Sequence, residues 1–178
     1  MTAKEVHNKL WILEYTSKVN QLFYQQLVSF FGILDGLVRT VMVILAIVST
    51  VLSFVAISTA PIAVISLAAI VLVEVVGLSW LRSYFGELHS RWTQLLRRCE
   101  DLYSRIPGPK AKSIDSRYME HFQELQDEKL RIDESEKLRF GFMWLHRTCQ
   151  RQVNRQTYSV DKGTYEEVMA TLPAKAAS

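Results

Sequence analysis

Thr40-Val41-Met42-Val43-Ile44-Leu45-Ala46-Ile47-Val48-Ser49-Thr50-Val51-Leu52-Ser53-Phe54-Val55-Ala56-Ile57 runs without a charge into Ser58-Thr59-Ala60-Pro61. From there the uncharged run continues through Ile62-Ala63-Val64-Ile65-Ser66-Leu67-Ala68-Ala69-Ile70-Val71-Leu72-Val73. One straight helix over this stretch would be about 51 Å long, far more than a hydrocarbon core of about 30 Å. With their apolar flanks, residues 37–57 and 61–81 are each about one crossing in length. Pro61 suits a first helical turn, Thr59 suits a cap, and the residue before proline is pushed out of helical geometry. The pattern predicts an all-α membrane protein: a two-helix transmembrane hairpin on a cytosolic helical body. A buried hairpin in a soluble domain is the alternative. A water-facing helix needs a polar stripe, and Val41 to Val48 and Ile70 to Val73 have none.

Charge sets the expected topology. Lys4, Lys9, Lys18 and Arg39 precede the hairpin tip, Arg82, Arg91, Arg97, Arg98 and Arg105 follow it, and the tip carries none. Positive residues stay inside, so both termini are expected in the cytoplasm of a multi-pass inner-membrane protein. Charges recur through the first 39 residues, so no cleavable signal peptide is expected. Cys99 and Cys149 would then lie in a reducing compartment, without a disulfide. The net charge of +3 is too small to imply nucleic-acid binding by itself.

Outward from the hairpin, residues 1–36 form an amphipathic lead-in, with Val6, Leu10, Leu13, Phe23, Leu27, Phe30 and Leu34 at helical spacing. Its aromatic second half, Leu22-Phe23-Tyr24 through Ile33-Leu34, suits the headgroup level. Residues 82–106 continue the second span as a helix whose apolar side is Leu88, Trp92, Leu95, Leu96, Leu102 and Ile106. Residues 107–113 are a Pro/Gly linker opened by Pro107-Gly108-Pro109. Residues 114–178 hold a long helix from Ile114 to about Arg155, a short last helix from Asp161 through Met169, and a tail. The long helix crowds acids into its first half and bases into its second, which suits the helix dipole or pairing between subunits.

Three constellations are candidate sites. In the second span Ala63, Ser66, Ile70, Glu74 and Gly77 share a face; a carboxylate at that depth is costly and usually faces a bundle interior or water. Glu74 either lines an oligomer axis or pairs with Arg39 near the interface. In the first span Ala46, Ser49, Thr50 and Ser53 make a small, weakly polar stripe of the kind that packs helices or lines a pore. On the long helix Arg147, Arg151 and Arg155, spaced by four, form a basic ridge beside Trp144. It is either a solvated face or a contact for a partner, a second subunit, a phosphate-bearing ligand, nucleic acid or anionic lipid. His7, His89, His121 and His146 are scattered, His146 and Cys149 fall short of a zinc set, and no phosphate loop or nucleophile elbow occurs. Neither catalysis nor a cofactor is expected.

The lead-in, the tight hairpin and the helix Leu81-Arg82-Ser83-Tyr84-Phe85-Gly86-Glu87-Leu88-His89-Ser90-Arg91-Trp92-Thr93-Gln94-Leu95-Leu96 resemble the SLATT group. These are two-transmembrane effectors of bacterial nucleotide-sensing and retron anti-phage systems. The resemblance is one of layout, over residues 20–106. It implies a toxic, pore-forming membrane effector of an abortive-infection system, which homo-oligomerises in the inner membrane. A regulatory protein or a nucleotide- or nucleic-acid-containing partner complex would control it. The residues alone leave open a non-conducting anchor that recruits a cytosolic partner, and a holin-like lysis protein. A cytosolic portion as long as the one after residue 81 is large for a holin.

Overall fold

No proline interrupts the chain before Pro61, and a single helix, α1, runs from Ala3 to Phe54 in the computed structural model. The structure describes residues 2–54, 77–108, 111, 114–136 and 142–160. Three further helices follow among these residues: α2 (Leu78–Arg105), α3 (Ser116–Ser135) and α4 (Met143–Val160), with no strand. The protein is all-helical. It divides into two units, residues 1–24 with 88–178, and residues 25–87.

The first unit is an antiparallel four-helix arrangement in which α1 is the common partner. Val6, Leu10, Leu13 and Phe23 of α1 are buried, as are Leu88, Trp92, Leu95, Leu96 and Leu102 of α2, with Ile106 just beyond its end. These are the apolar positions that the spacing picks out. Gln21 Nε2 donates to Thr93 Oγ1 at 3.2 Å, and the His7 ring Nε2 donates to the Pro107 carbonyl at 2.7 Å. As α1 descends from 21 to 7, α2 climbs from 93 to 107, so the two are antiparallel. The same reasoning orients α4: Tyr15 donates to Asn154, and His146 Nε2 meets Asn20 Oδ1 at 3.2 Å. Phe122, Leu125 and Ile132 of α3 and Cys149 and Val153 of α4 complete the core.

Asp115 caps α3, its backbone extended (φ −62°, ψ 142°) and its carboxylate accepting from the Arg117 N–H at 3.2 Å. This satisfies one of the orphan donors of the first turn. The single helix expected from 114 to 155 is not formed. α3 stops at Ser135, Glu136 leaves helical geometry (φ −78°, ψ 75°), and α4 starts at Met143. A tertiary bond holds the break: Trp92 Nε1 donates to Glu136 Oε1 at 2.8 Å. The acid-first, base-last pattern is therefore split between two helices. Neither α3 nor α4 carries an acid in its first turn or a base in its last, so the dipole argument does not apply. The expected last helix from Asp161 and the tail lie outside the described residues.

In the second unit, α1 and the start of α2 also run side by side. Phe31 and Phe85 stack with centroids 5.4 Å apart, and a Cβ on Gly32 would lie 3.6 Å from Arg82 Nε. Leu27, Phe31, Asp35, Leu78 and Phe85 are buried. Beyond them α1 changes character: Phe30, Ile33, Leu37, Val41, Val43, Ile44, Ile47, Val48 and Val51 are all exposed. Leu22-Phe23-Tyr24, expected at the headgroup level, is instead engaged in packing, with Phe23 and Tyr24 fully buried and the His146 ring edge-on to Phe23 at 5.3 Å. The exposed aromatic positions begin at Phe30.

Candidate functional site

The most distinctive surface is the apolar flank of α1 from Phe30 to Val51. α1 is the one helix among the described residues long and apolar enough to cross a membrane, and only 11% of its most apolar window is buried. That low burial separates it from the core helix of a soluble fold, where the same composition would be covered. A narrower stripe, Val38, Met42, Leu45 and Ser49, is partly covered and continues the line of Phe31 and Asp35. Of the small stripe seen in the sequence, Ser49 lies on this covered side and Ala46 is exposed. Ser53 lies on α1, but its side chain is outside the described residues.

At the base of this flank stand groups typical of a membrane–water boundary. Arg39 Nε donates to Asp35 Oδ1 at 3.1 Å, one helical turn apart, with Asp35 buried and Arg39 exposed. Trp80 is 60% exposed and stacks on Tyr84 at 5.4 Å, beside Arg82. Tryptophan and tyrosine rings favour the headgroup level, where one edge is apolar and the other wet, and arginines extend toward water. Asp35 and the Trp80–Tyr84 pair were not singled out in the sequence. For Asp35 the signal was its spacing of four from Arg39.

Gly77 is in the left-handed region at φ 61°, and Leu81 N–H bonds its carbonyl at 2.8 Å as α2 begins. Such a residue cannot lie inside a right-handed helix, and glycine adopts it without steric cost. Gly77, expected within the span 61–81, forms the turn from which α2 starts at Leu78. Ala63, Ser66 and Glu74 lie outside the described residues, as does most of the expected second span and the tip. Arg39, the cation considered for Glu74, has Asp35 as a partner on its own helix.

Arg147, Arg151 and Arg155 are exposed on the outer side of α4, opposite Cys149 and Val153. Trp144 shares that side at 68% exposure, so it takes no part in the core of the described chain. The structure thus brings the four α4 residues together on one surface.

Both cysteines are buried and neither is in a disulfide. Burial pushes the Cys99 thiol up to about 12, with the nearby Glu14 carboxylate adding to the effect. Burial likewise raises Cys149. Neither is a reactive thiol. His146 is held by Asn20, and no group of three or more metal-ligating side chains occurs among the described residues.

Comparison with protein-family models, with curated proteins and with solved structures finds no match for this chain.

Proposed function

We propose that this protein is a multi-pass membrane effector that homo-oligomerises in a bacterial inner membrane and breaches it, with both termini and the helical unit in the cytoplasm. The carrying observation is the pairing of α1 with α2 beneath the exposed apolar flank. Gly32 lies against Arg82 and Phe31 against Phe85, so the chain that departs along α1 comes back to the level it left. If the flank of α1 crosses a bilayer, the chain must cross it again before Gly77. The 22 residues from 55 to 76 are uncharged but for Glu74, and about 20 suffice for a crossing. Arg39 and Arg82 fall at the same base, in accord with positive residues staying inside.

The pore reading draws on the resemblance to the SLATT layout and on Glu74, whose carboxylate would face other copies and not lipid. Control by a regulatory protein or a nucleotide-bearing complex belongs to the same reading. A non-conducting anchor is the rival that the exposed Trp144 and arginine surface favours, since a recruiting module also needs a free face.

One experiment separates them. Thr59→Cys is labelled in intact cells with an impermeant maleimide, and dye leakage is recorded on induction for the parent and for Glu74→Gln at matched abundance. Labelling at Thr59 with leakage that Glu74→Gln alters several-fold is the expected result. Labelling without leakage leaves the anchor, and no labelling overturns the hairpin.

A further inference from the structure

The outer faces of α3 and α4 complement each other, although the two helices belong to the same chain. On α4 the core side is marked by Cys149 and Val153, and the opposite side presents Trp144, Arg147, Arg151 and Arg155, all exposed. On α3 the core side is Phe122, Leu125 and Ile132. Its opposite side presents Glu120, Gln123, Asp127, Leu130, Arg131 and Glu134, also exposed, with Leu130 at 57%. One surface is an exposed indole followed by three guanidinium groups. The other is an exposed leucine followed by two carboxylates and an amide.

Their spacings match in one direction. From Trp144, the arginines rise about 4.5, 10.5 and 16.5 Å along α4; from Leu130 toward the start of α3, Asp127, Gln123 and Glu120 lie about 4.5, 10.5 and 15 Å away. An antiparallel alignment that seats Trp144 on Leu130 therefore sets Arg147 at Asp127, Arg151 at Gln123 and Arg155 at Glu120. A parallel alignment carries Arg151 and Arg155 past Ser135, where α3 ends. Leu130 also borders a cleft of about 430 Å³ between α1 and α3, lined by Ile12 and Leu13 together with Lys9, Thr16, Gln126 and Lys129, which gives the indole room to pack.

From this complementarity we infer that the partner of the α4 surface is α3 of a second copy of this chain, joined head to tail in the antiparallel register just given. The inference rests on the homo-oligomer reading above and deepens it by naming the contact. Such an interface is heterologous, so successive copies close a ring or extend a row. Single exposed ion pairs are weak, and Trp144 supplies the anchor, since tryptophan and arginine dominate interface energetics. Confinement in a bilayer raises the effective concentration of neighbours, so a modest contact suffices.

The test uses the full chain in membranes, with two differently tagged copies co-expressed so that only intermolecular bonds join them. When isolated membranes are oxidised with copper–phenanthroline, Arg147→Cys on one and Asp127→Cys on the other are expected to form a disulfide dimer at least ~5-fold above the pair Arg155→Cys and Glu134→Cys, which the register holds about 22 Å apart. Trap yield from Trp144→Cys with Leu130→Cys is expected to fall when Arg147→Glu and Arg155→Glu are added to one copy. It should recover when Asp127→Arg and Glu120→Arg are added to the other. Equal yield from the control pair, or no recovery on charge exchange, overturns the interface; the second result is what binding of the arginines to anionic lipid would give. Leakage is scored in the same cells. Leakage without the trapped dimer removes this interface and leaves the membrane function, and the dimer without leakage does the reverse.

Discussion

Trp92 and Trp80 lie on the same helix and have opposite surroundings. Trp92 is fully buried and donates its indole N–H to Glu136, and Trp80 is mostly exposed and rests on Tyr84. The first belongs to a unit whose apolar positions are matched by partners on four helices. The second belongs to a unit whose apolar positions on α1 largely lack them among the described residues. The contrast teaches that hydrophobicity alone does not say what covers a residue. In the first unit the covering is protein, and in the second the flank of α1 is left exposed, which is the side that the proposed function gives to lipid.

The largest effect expected from breaking this contrast is at Trp92. Trp92→Ala empties a core site and removes the bond that fixes the end of α3, costing about 3–5 kcal/mol of stability in the helical unit. Thermal melting of the purified chain in detergent measures it, and membrane association should persist. Next is Ile44→Arg, on the exposed flank of α1. In a bilayer a charge near mid-span costs about 2.5–3.5 kcal/mol, so the chain should shift out of the membrane fraction. If water covered that flank, the same substitution would instead leave fractionation unchanged and improve solubility.

A smaller effect concerns Cys99. Its folded thiol titrates near 12 against an ordinary value of 9.0. Between those values the unfolded chain has lost a proton that the folded chain keeps, so stability falls as pH rises, by up to about 1.4 kcal/mol per pH unit. Cys99→Ala should flatten that part of the pH dependence of the melting temperature; an unchanged slope would show that the thiol does not contribute. The smallest effect is at Asp35→Asn. Arg39 is largely solvated, so weakening this pair should cost no more than about 1 kcal/mol. A loss well above that in the melting curve would mean that Asp35 serves more than Arg39.

Much of the helical unit was legible because burial follows helical spacing: Val6, Leu10, Leu13, Leu88, Trp92, Leu95, Phe122, Leu125, Cys149 and Val153 are all core. The buried polar residues were not. Ser17, Asn20 and His7 interrupt no apolar pattern strongly, and the partners of Asn20 and His7 lie at least a hundred residues away, at His146 and Pro107. On the candidate surface, the basic ridge was visible as a spacing of four, but its neighbour Trp144 read equally as core or contact. Only exposure decided that.

The sequence by itself determined that this chain is helical and that a long part of it is too apolar for water, since both follow from local composition and period. It also determined most of the inward-facing positions of the amphipathic helices, with Phe30 the exception on α1 at 54% exposed. The tertiary structure decided where helices stop and which ends meet. The break at Glu136 depends on Trp92, the start of α2 on the left-handed Gly77, and the return of the chain beside Gly32 on Arg82 and Phe85. The physical reason is range: propensity and periodicity act within a few turns, and these contacts join residues that meet only once the helices have packed.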